Sequence, residues 1–338
     1  MLKRYSLVTF TAVTLLVLFQ VAEAQEKRAQ TSMKFLQTST FAGPAGMGNA
    51  MTAIETKSSL AMFYNPATMA RQENRFDISL GLTNFIADID YNAAAVSFRP
   101  GRGQYGVIGL NAMYVDYGRI DETIIDASAE RGYRKIGTFG PYAMRYGIGY
   151  AHALSNRFMV GGNFNIVTQD LGTVTMGTDD DGEFERSGFS ASTFTVDFGV
   201  LYHTGFESLT FAMSVRNFSQ EISFDDKEED LPLSFRMGVA MDLLDLTSAN
   251  QELHSLILSV DAKRIPDYYE QLLLGIQYTF MDRFVVRGGY QFPTDETGFS
   301  GGFGIRQPIG GTEVEINYAH TDYGIFSGVN RFSLQFSL

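Results

Sequence analysis

From Arg331 to the C-terminal Leu338 the chain alternates without a break. Phe332, Leu334, Phe336 and Leu338 are apolar, while Arg331, Ser333, Gln335 and Ser337 between them are polar. Successive side chains of a strand point to opposite faces, so this stretch is an apolar wall backed by a polar one. A sheet in water seldom ends so greasy. A strand that closes a membrane-spanning barrel does, because it turns the apolar face to lipid and the polar face to the lumen.

The same period recurs from Arg75 onward. It predicts strands at 76–85, 91–99, 105–116, 141–152, 157–169, 191–203, 208–219, 232–242, 254–264, 269–280, 283–292, 298–307, 312–321 and 328–338. Each is close to the ~9–11 residues that cross a bilayer at a tilt. Hydrophobic residues make up 45% of the chain, yet mean hydropathy is only −0.05, as interleaving rather than pooling requires. Connection lengths supply an independent check. Pro100–Gly103, Ser155-Asn156, Gly205–Glu207, Met281-Asp282 and Pro308–Gly311 are short and carry turn residues. The long connections, 117–140, 170–190 and 220–231, have the opposite parity, as external loops facing periplasmic turns would; 243–253 is long for a periplasmic turn. The expected fold is therefore all-β: a 14-stranded antiparallel transmembrane β-barrel over 76–338. A soluble sandwich would leave rows of Leu and Phe exposed to aggregate.

Facing follows from the period. Leu272, Leu274, Ile276, Tyr278 and Phe280 point to lipid, as do Leu233, Phe235, Met237, Val239 and Met241, and Phe284, Val286, Tyr290 and Phe292. The opposite faces hold Arg145, Asp197, Arg216, Arg236, Asp261, Arg287, Arg306, Glu313, Glu315 and Arg331. An arginine on the lipid face costs ~2–4 kcal/mol at the midplane, so these residues belong in the lumen. Both signs are present, which predicts a paired lumenal network that fixes the barrel and its plug.

The N-terminus differs. Lys3 and Arg4 precede an apolar run from Leu7 to Phe19, and Ala22-Glu23-Ala24 offers a cleavage site, so 1–24 reads as a signal peptide. Residues 25–75 lack alternation and are expected to form a plug, or hatch, in the lumen. Within them Gly46-Met47-Gly48 allows tight backbone packing, and Asn65-Pro66 suits an N-cap and first helical position for Ala67–Arg71.

Signals for chemistry are few. There is no cysteine, so thiolate metal sites and a Cys nucleophile are excluded. A net charge of −12 without a basic stripe argues against nucleic acid. Gly46–Met51 lacks the third glycine and the preceding strand of a dinucleotide fingerprint. His152, His203, His254 and His320 sit near strand ends without acid or serine partners at catalytic spacing, and read as interfacial. The acidic runs Asp179–Glu183 and Asp225–Asp230 have calcium-type ligands without EF-hand spacing, and read as solvated loops. Tyr114, Tyr117, Tyr142, Tyr146, Tyr278, Tyr290, Tyr318 and Phe332 read as interfacial girdle residues. No enzyme, cofactor or metal is expected.

Two motifs carry a family resemblance. Ala45-Gly46-Met47-Gly48-Asn49-Ala50 and Ser58–Ala67, with its Asn65-Pro66-Ala67, resemble the "GMGGA … NPA" opening of the PorV/PorQ proteins, within the FadL-like class of barrels. Tyr114–Gly118, Asn156–Gly162, Asp197–Gly205 and Leu231–Gly238 look like later stretches of that family. The resemblance departs at Asn49, where a glycine is expected, and at Glu55-Thr56-Lys57, where the acidic pair is not clear. It implies a fourteen-stranded, FadL-like barrel with an N-terminal hatch, and the barrel is expected to be monomeric in outer-membrane lipid. It implies partnership with type IX secretion components or exported proteins, or, as the alternative, passage of hydrophobic small molecules.

Overall fold

The protein is described from a computed structural model covering residues 31–178, 184–224, 227–247, 250–251, 253–294 and 297–338. The expected signal peptide, the acidic run Asp179–Glu183 and Asp225-Asp226 lie outside the described residues.

Fourteen antiparallel strands form one closed barrel. In chain order they are β1 (Phe76–Asn84), β2 (Asp90–Phe98), β3 (Val107–Asp116), β4 (Tyr142–Ala153), β5 (Phe158–Thr178), β6 (Phe184–His203) and β7 (Thr210–Phe218). Then follow β8 (Ser234–Asp242), β9 (His254–Arg264), β10 (Gln271–Phe280), β11 (Phe284–Phe292), β12 (Phe299–Ile309), β13 (Thr312–Tyr323) and β14 (Phe326–Ser337). Each pairs with its sequence neighbours, and β1 closes on β14 with Asp77 opposite Ser337 and Asn84 opposite Asn330. No edge is left, so no ladder N–H or C=O faces hydrocarbon unpaired. Of the expected outward residues, Ile276, Val286 and Phe332 are exposed with buried neighbours on either side along the strand, and Leu82, Leu110, Phe164 and Phe198 continue the same pattern round the ring.

The long connections differ from expectation. Residues 170–190 are mostly a continuation of β5 and β6 beyond the wall, not a loop. The pairing register shifts between Asp170 and Gly172 and again between Thr175 and Gly177. Each bulge flips the phase of alternation, so the period-2 signal fails where the ladder persists. Residues 117–140 contain a separate hairpin, Ile120–Ile125 with Tyr133–Phe139, and 220–231 a smaller one, Ile222–Phe224 with Lys227–Glu229. On the opposite end, 243–253 opens with a 3-10 turn, Leu243–Leu246, whose first amides are capped by Asp242 through the Leu244 N–H (3.0 Å). That turn accounts for its length.

Residues 31–75 lie within the ring of strands, built from three 3-10 turns (Lys34–Gln37, Ser59–Phe63, Pro66–Arg71) and one short helix, Ala42–Gly46. Phe35, Leu36, Phe41, Met47, Met62 and Met69 are almost completely buried, so the apolar core of this protein sits inside the barrel. The barrel is inverted outside and conventional within.

The outer hairpin is fastened to the β5–β6 extension by one carboxylate. Glu122 Oε1 accepts from the Thr175 hydroxyl and amide (2.7 Å each), and Oε2 meets Arg186 (2.9 Å). The Thr175 hydroxyl above all, aided by its amide and Arg186, holds this carboxyl below the usual 4.5. A depressed folded value means the contact stabilises above the unfolded pKa and is lost as pH falls through the folded one. The protection factors of the amides across Ile120–Phe139, taken against intrinsic exchange at each pH, should therefore be full above the unfolded value near 4.5 and fall as the pH drops below it. In Glu122→Gln that acid-dependent step should vanish.

Candidate functional site

The inner face of the wall and the segment it encloses were built for close approach. Inward positions of the strands repeatedly carry glycine where the segment's backbone touches. Gly48 has φ +60, and a Cβ there would stand 2.8 Å from Tyr290 N. A Cβ on Gly289 would run into Gly48 N, and one on Gly275 would stand 2.6 Å from the Met47 carbonyl oxygen. Gly46-Met47-Gly48 thus rests on a bare strip of β10–β12, with Gly48 N donating to Ser300 Oγ (3.0 Å). The opposite wall repeats the device. Asn65 Oδ1 accepts from Ala67 N (3.1 Å), capping the Pro66 turn, and its Nδ2 donates to Thr52 O (2.8 Å) and Val200 O (3.2 Å). Gly161 and Gly199 leave room for Pro66 and Asn65.

The inward charges do not form one network; they divide into clusters, most of which grip the segment's main chain. On β4 and β6, Arg145 donates to Asp197 Oδ2 (3.1 Å), Asn165 Oδ1 (3.0 Å) and Met62 O (3.3 Å). Asn163 and Asn165 also donate to Asp197 Oδ2, and Asn217 N to Oδ1 (2.8 Å), so this fully buried carboxylate is saturated. On β9, Asp261 Oδ2 accepts from Thr52 N (2.9 Å) and Oγ1 (2.7 Å). On β14, Arg331 donates to Ser39 O (2.9 Å) and Thr321 Oγ1 (2.9 Å), with no ion pair among the described residues. Toward the short-turn end, Glu315 lies between Arg287 (3.1 Å) and Arg306 (2.8 Å), and Arg306 reaches Asp282 (3.0 Å). Glu313 stays at the exposed mouth without an ion pair among the described residues. Arg236 donates to Asn49 O (3.2 Å), while Arg216 meets no carboxylate among the described residues. A cavity of about 440 Å³ lies at that end between segment and wall, lined by Lys57, Glu73, Arg287, Arg306, Glu313 and Glu315 among others.

Sequence reasoning missed three contacts. Asp77 is fully buried at the β1–β14 seam and accepts from Ser59 N (2.7 Å), Ser59 Oγ (2.6 Å), Gln335 and Ser337. Its alternation with Ser79, Gly81 and Thr83 already marked it as inward. His203 is not interfacial: it faces inward, with Nε2 2.7 Å from Glu55, a partner far away in sequence. Tyr117 is no girdle residue either. Its ring packs against the buried core, and its hydroxyl accepts from Gln169 (3.4 Å). By contrast Tyr114 stacks on Tyr142 at 6.3 Å and Tyr318 packs on Phe332 at 5.0 Å on the outer wall.

Removing one partner of a buried ion pair strands the other charge, typically at ~3–5 kcal/mol. Asp197→Ala should destabilise the folded barrel by about that amount in urea titrations followed by heat-modifiable mobility, because Arg145 is left unpaired.

Three comparisons bear on this geometry. Among solved structures the CymD monoaromatic hydrocarbon channel is similar (TM-score 0.58, 12% identity, 88% of this chain and 96% of that one). So are the Pseudomonas putida toluene transporter TodX (TM-score 0.57, 10% identity, 93% and 98%) and a Pseudomonas aeruginosa FadL homologue (TM-score 0.50, 12% identity, 89% and 97%). At such identities the likeness establishes the FadL-like fold alone. No curated protein matches the chain. The family model that matches is that of the type IX secretion system membrane protein PorP/SprF, over residues 58–321, rather than one for PorV/PorQ. That stretch runs from the second half of the enclosed segment to β13 and is most of the chain, so the protein belongs to the PorP/SprF family of type IX secretion membrane proteins.

Proposed function

We propose that the protein is a monomeric barrel of the outer membrane, exported with residues 1–24 removed, in which residues 25–75 are a hatch that closes the lumen. It works without bond chemistry, as a type IX secretion component that binds translocon parts or exported proteins at that membrane. The family match over residues 58–321 carries this reading. A cargo-receiving role of the PorV/PorQ kind is one form of it, supported by the motifs at Gly46–Ala50 and Asn65–Ala67.

The charge of the interior weighs against the alternative, a conduit for hydrophobic small molecules. The solved proteins of similar fold include hydrocarbon channels. Here the open cavity beside the segment is lined by Arg287, Arg306, Glu313 and Glu315, and an apolar solute would have to displace water from ionic groups to enter. Protein docking asks nothing of the lumen except that it stay shut.

Two measurements test this. Crosslinking in intact outer membranes should capture type IX machinery or exported proteins; recovery of none, with apolar small molecules retained by the purified barrel, would transfer the role to the conduit. In planar bilayers the wild-type barrel should conduct almost nothing. Gly289→Val, whose side chain takes the space of Gly48, should unseat the segment and give large, steady openings while the barrel still folds. Large currents through the wild type would overturn the hatch.

A further inference from the structure

Beyond that reading, we infer that a single halide ion, chloride under ordinary conditions, binds between the N-terminal segment and the wall, in the cleft where Arg145, Arg216 and Arg236 converge. Arg216 on β7 and Arg236 on β8 are diagonal neighbours across the ladder, each opposite a serine of the other strand (Arg216 with Ser234, Arg236 with Ser214). Arg145 comes from β4 and closes the third side. All three side chains are more than nine-tenths buried: Arg145 is 1% exposed, Arg216 6% and Arg236 5%.

Like charges on neighbouring strands repel, and buried charge requires compensation. The carboxylates close by are two, and neither forms an ion pair with Arg216, although Asp261 Oδ1 has no hydrogen-bond partner among the described residues. Asp197 is held by Arg145 and three asparagines, and Asp261 is turned to Thr52. Three guanidiniums against two carboxylates leave one cation in excess, and Arg216 is the one with no ion pair among the described residues.

The hydrogen-bond inventory of the cleft has the same sign. Among the described residues, Gln37 Nε2, Arg145 Nε and Nη1, Arg216 Nε and Arg236 Nε are buried donors without partners, against Asn49 Oδ1 in the cleft lining and the hydroxyls of Ser214 and Ser234 beside the arginines. Arg145 also lies over the Phe63 ring, 5.2 Å from its centroid, which leaves part of its guanidinium free of oxygen partners. A water accepts two hydrogen bonds and adds two donors of its own, so it relieves such a surplus poorly. A halide only accepts, and takes up several donors while cancelling the charge. Room decides which anion. The cleft has space of about 10 Å³, that of one water-sized guest, too little for phosphate, sulfate or a carboxylate. Gln37, Asn49 and Tyr64 of the segment form one side and the three wall arginines the other, so the ion ties segment to wall.

The test uses the full mature barrel in detergent. Bromide should replace chloride in crystals and give an anomalous peak among the three guanidiniums. The unfolding temperature should rise saturably with chloride or bromide, and not with gluconate or sulfate at matched ionic strength. In Arg216→Met that halide response should fall at least fivefold. Should this variant not fold, Arg216→Lys, which keeps a cation but loses the fork, should still weaken the response. Absence of a bromide peak, or equal stabilisation by gluconate, would overturn the proposal. So would an undiminished halide response in a folded Arg216 variant.

Discussion

Everything in this molecule follows from closing the ladder. In hydrocarbon a backbone amide has no solvent to bond, so a sheet survives there only without edges. The pairing of β1 with β14 supplies that condition, register by register from Asp77–Ser337 to Asn84–Asn330. Once the ring is closed, every strand has a face that must be apolar and a face that water or protein must satisfy. The same seam also holds the segment: Asp77, buried where first and last strands meet, binds Ser59 from within.

A closed ring of fourteen strands encloses a space too wide for wall side chains to fill. The N-terminal segment packs against the inward faces of the strands, and the wall is shaped to receive it. Where segment and wall approach most closely the residues are glycine: Gly48 of the segment meets Gly275 and Gly289 of the wall on one side, and on the other Gly161 meets the Pro66 backbone and Gly199 the Asn65 side chain. Where polar groups meet, the wall supplies charges that address main-chain atoms: Arg145 to Met62 O, Arg236 to Asn49 O, Arg331 to Ser39 O and Asp261 to Thr52 N. Such contacts specify a position of the backbone more than a side-chain identity. They hold the segment from β4 round to β14.

The likeness to hydrocarbon channels at 10–12% identity shows how little the fold says of function. At that identity the shared barrel leaves the task open, and the lining of the space inside it is the chain's own. Here that lining is ionic, with Glu315 held between two arginines at the short-turn end.

The sequence by itself determined the sheet. Period-2 alternation fixes which side chain meets lipid, and it does so locally, because adjacent residues of a strand must point to opposite faces. Among the described residues it fails where the ladder outlasts the pattern, at the bulges by Gly172 and Gly177, and where hairpins leave the ring, at Ile120–Phe139 and Ile222–Glu229. What only the tertiary structure decided is the interior. The inward position of Arg216 is legible from its neighbours, but its lack of a carboxylate is not, since its surroundings come from strands and turns up to about 180 residues away in the chain. The contact of His203 with Glu55 and the seat of Gly48 on Gly289 are decided in the same way. Alternation orients a side chain relative to its own strand; only closure of the ring and seating of the segment determine what it meets.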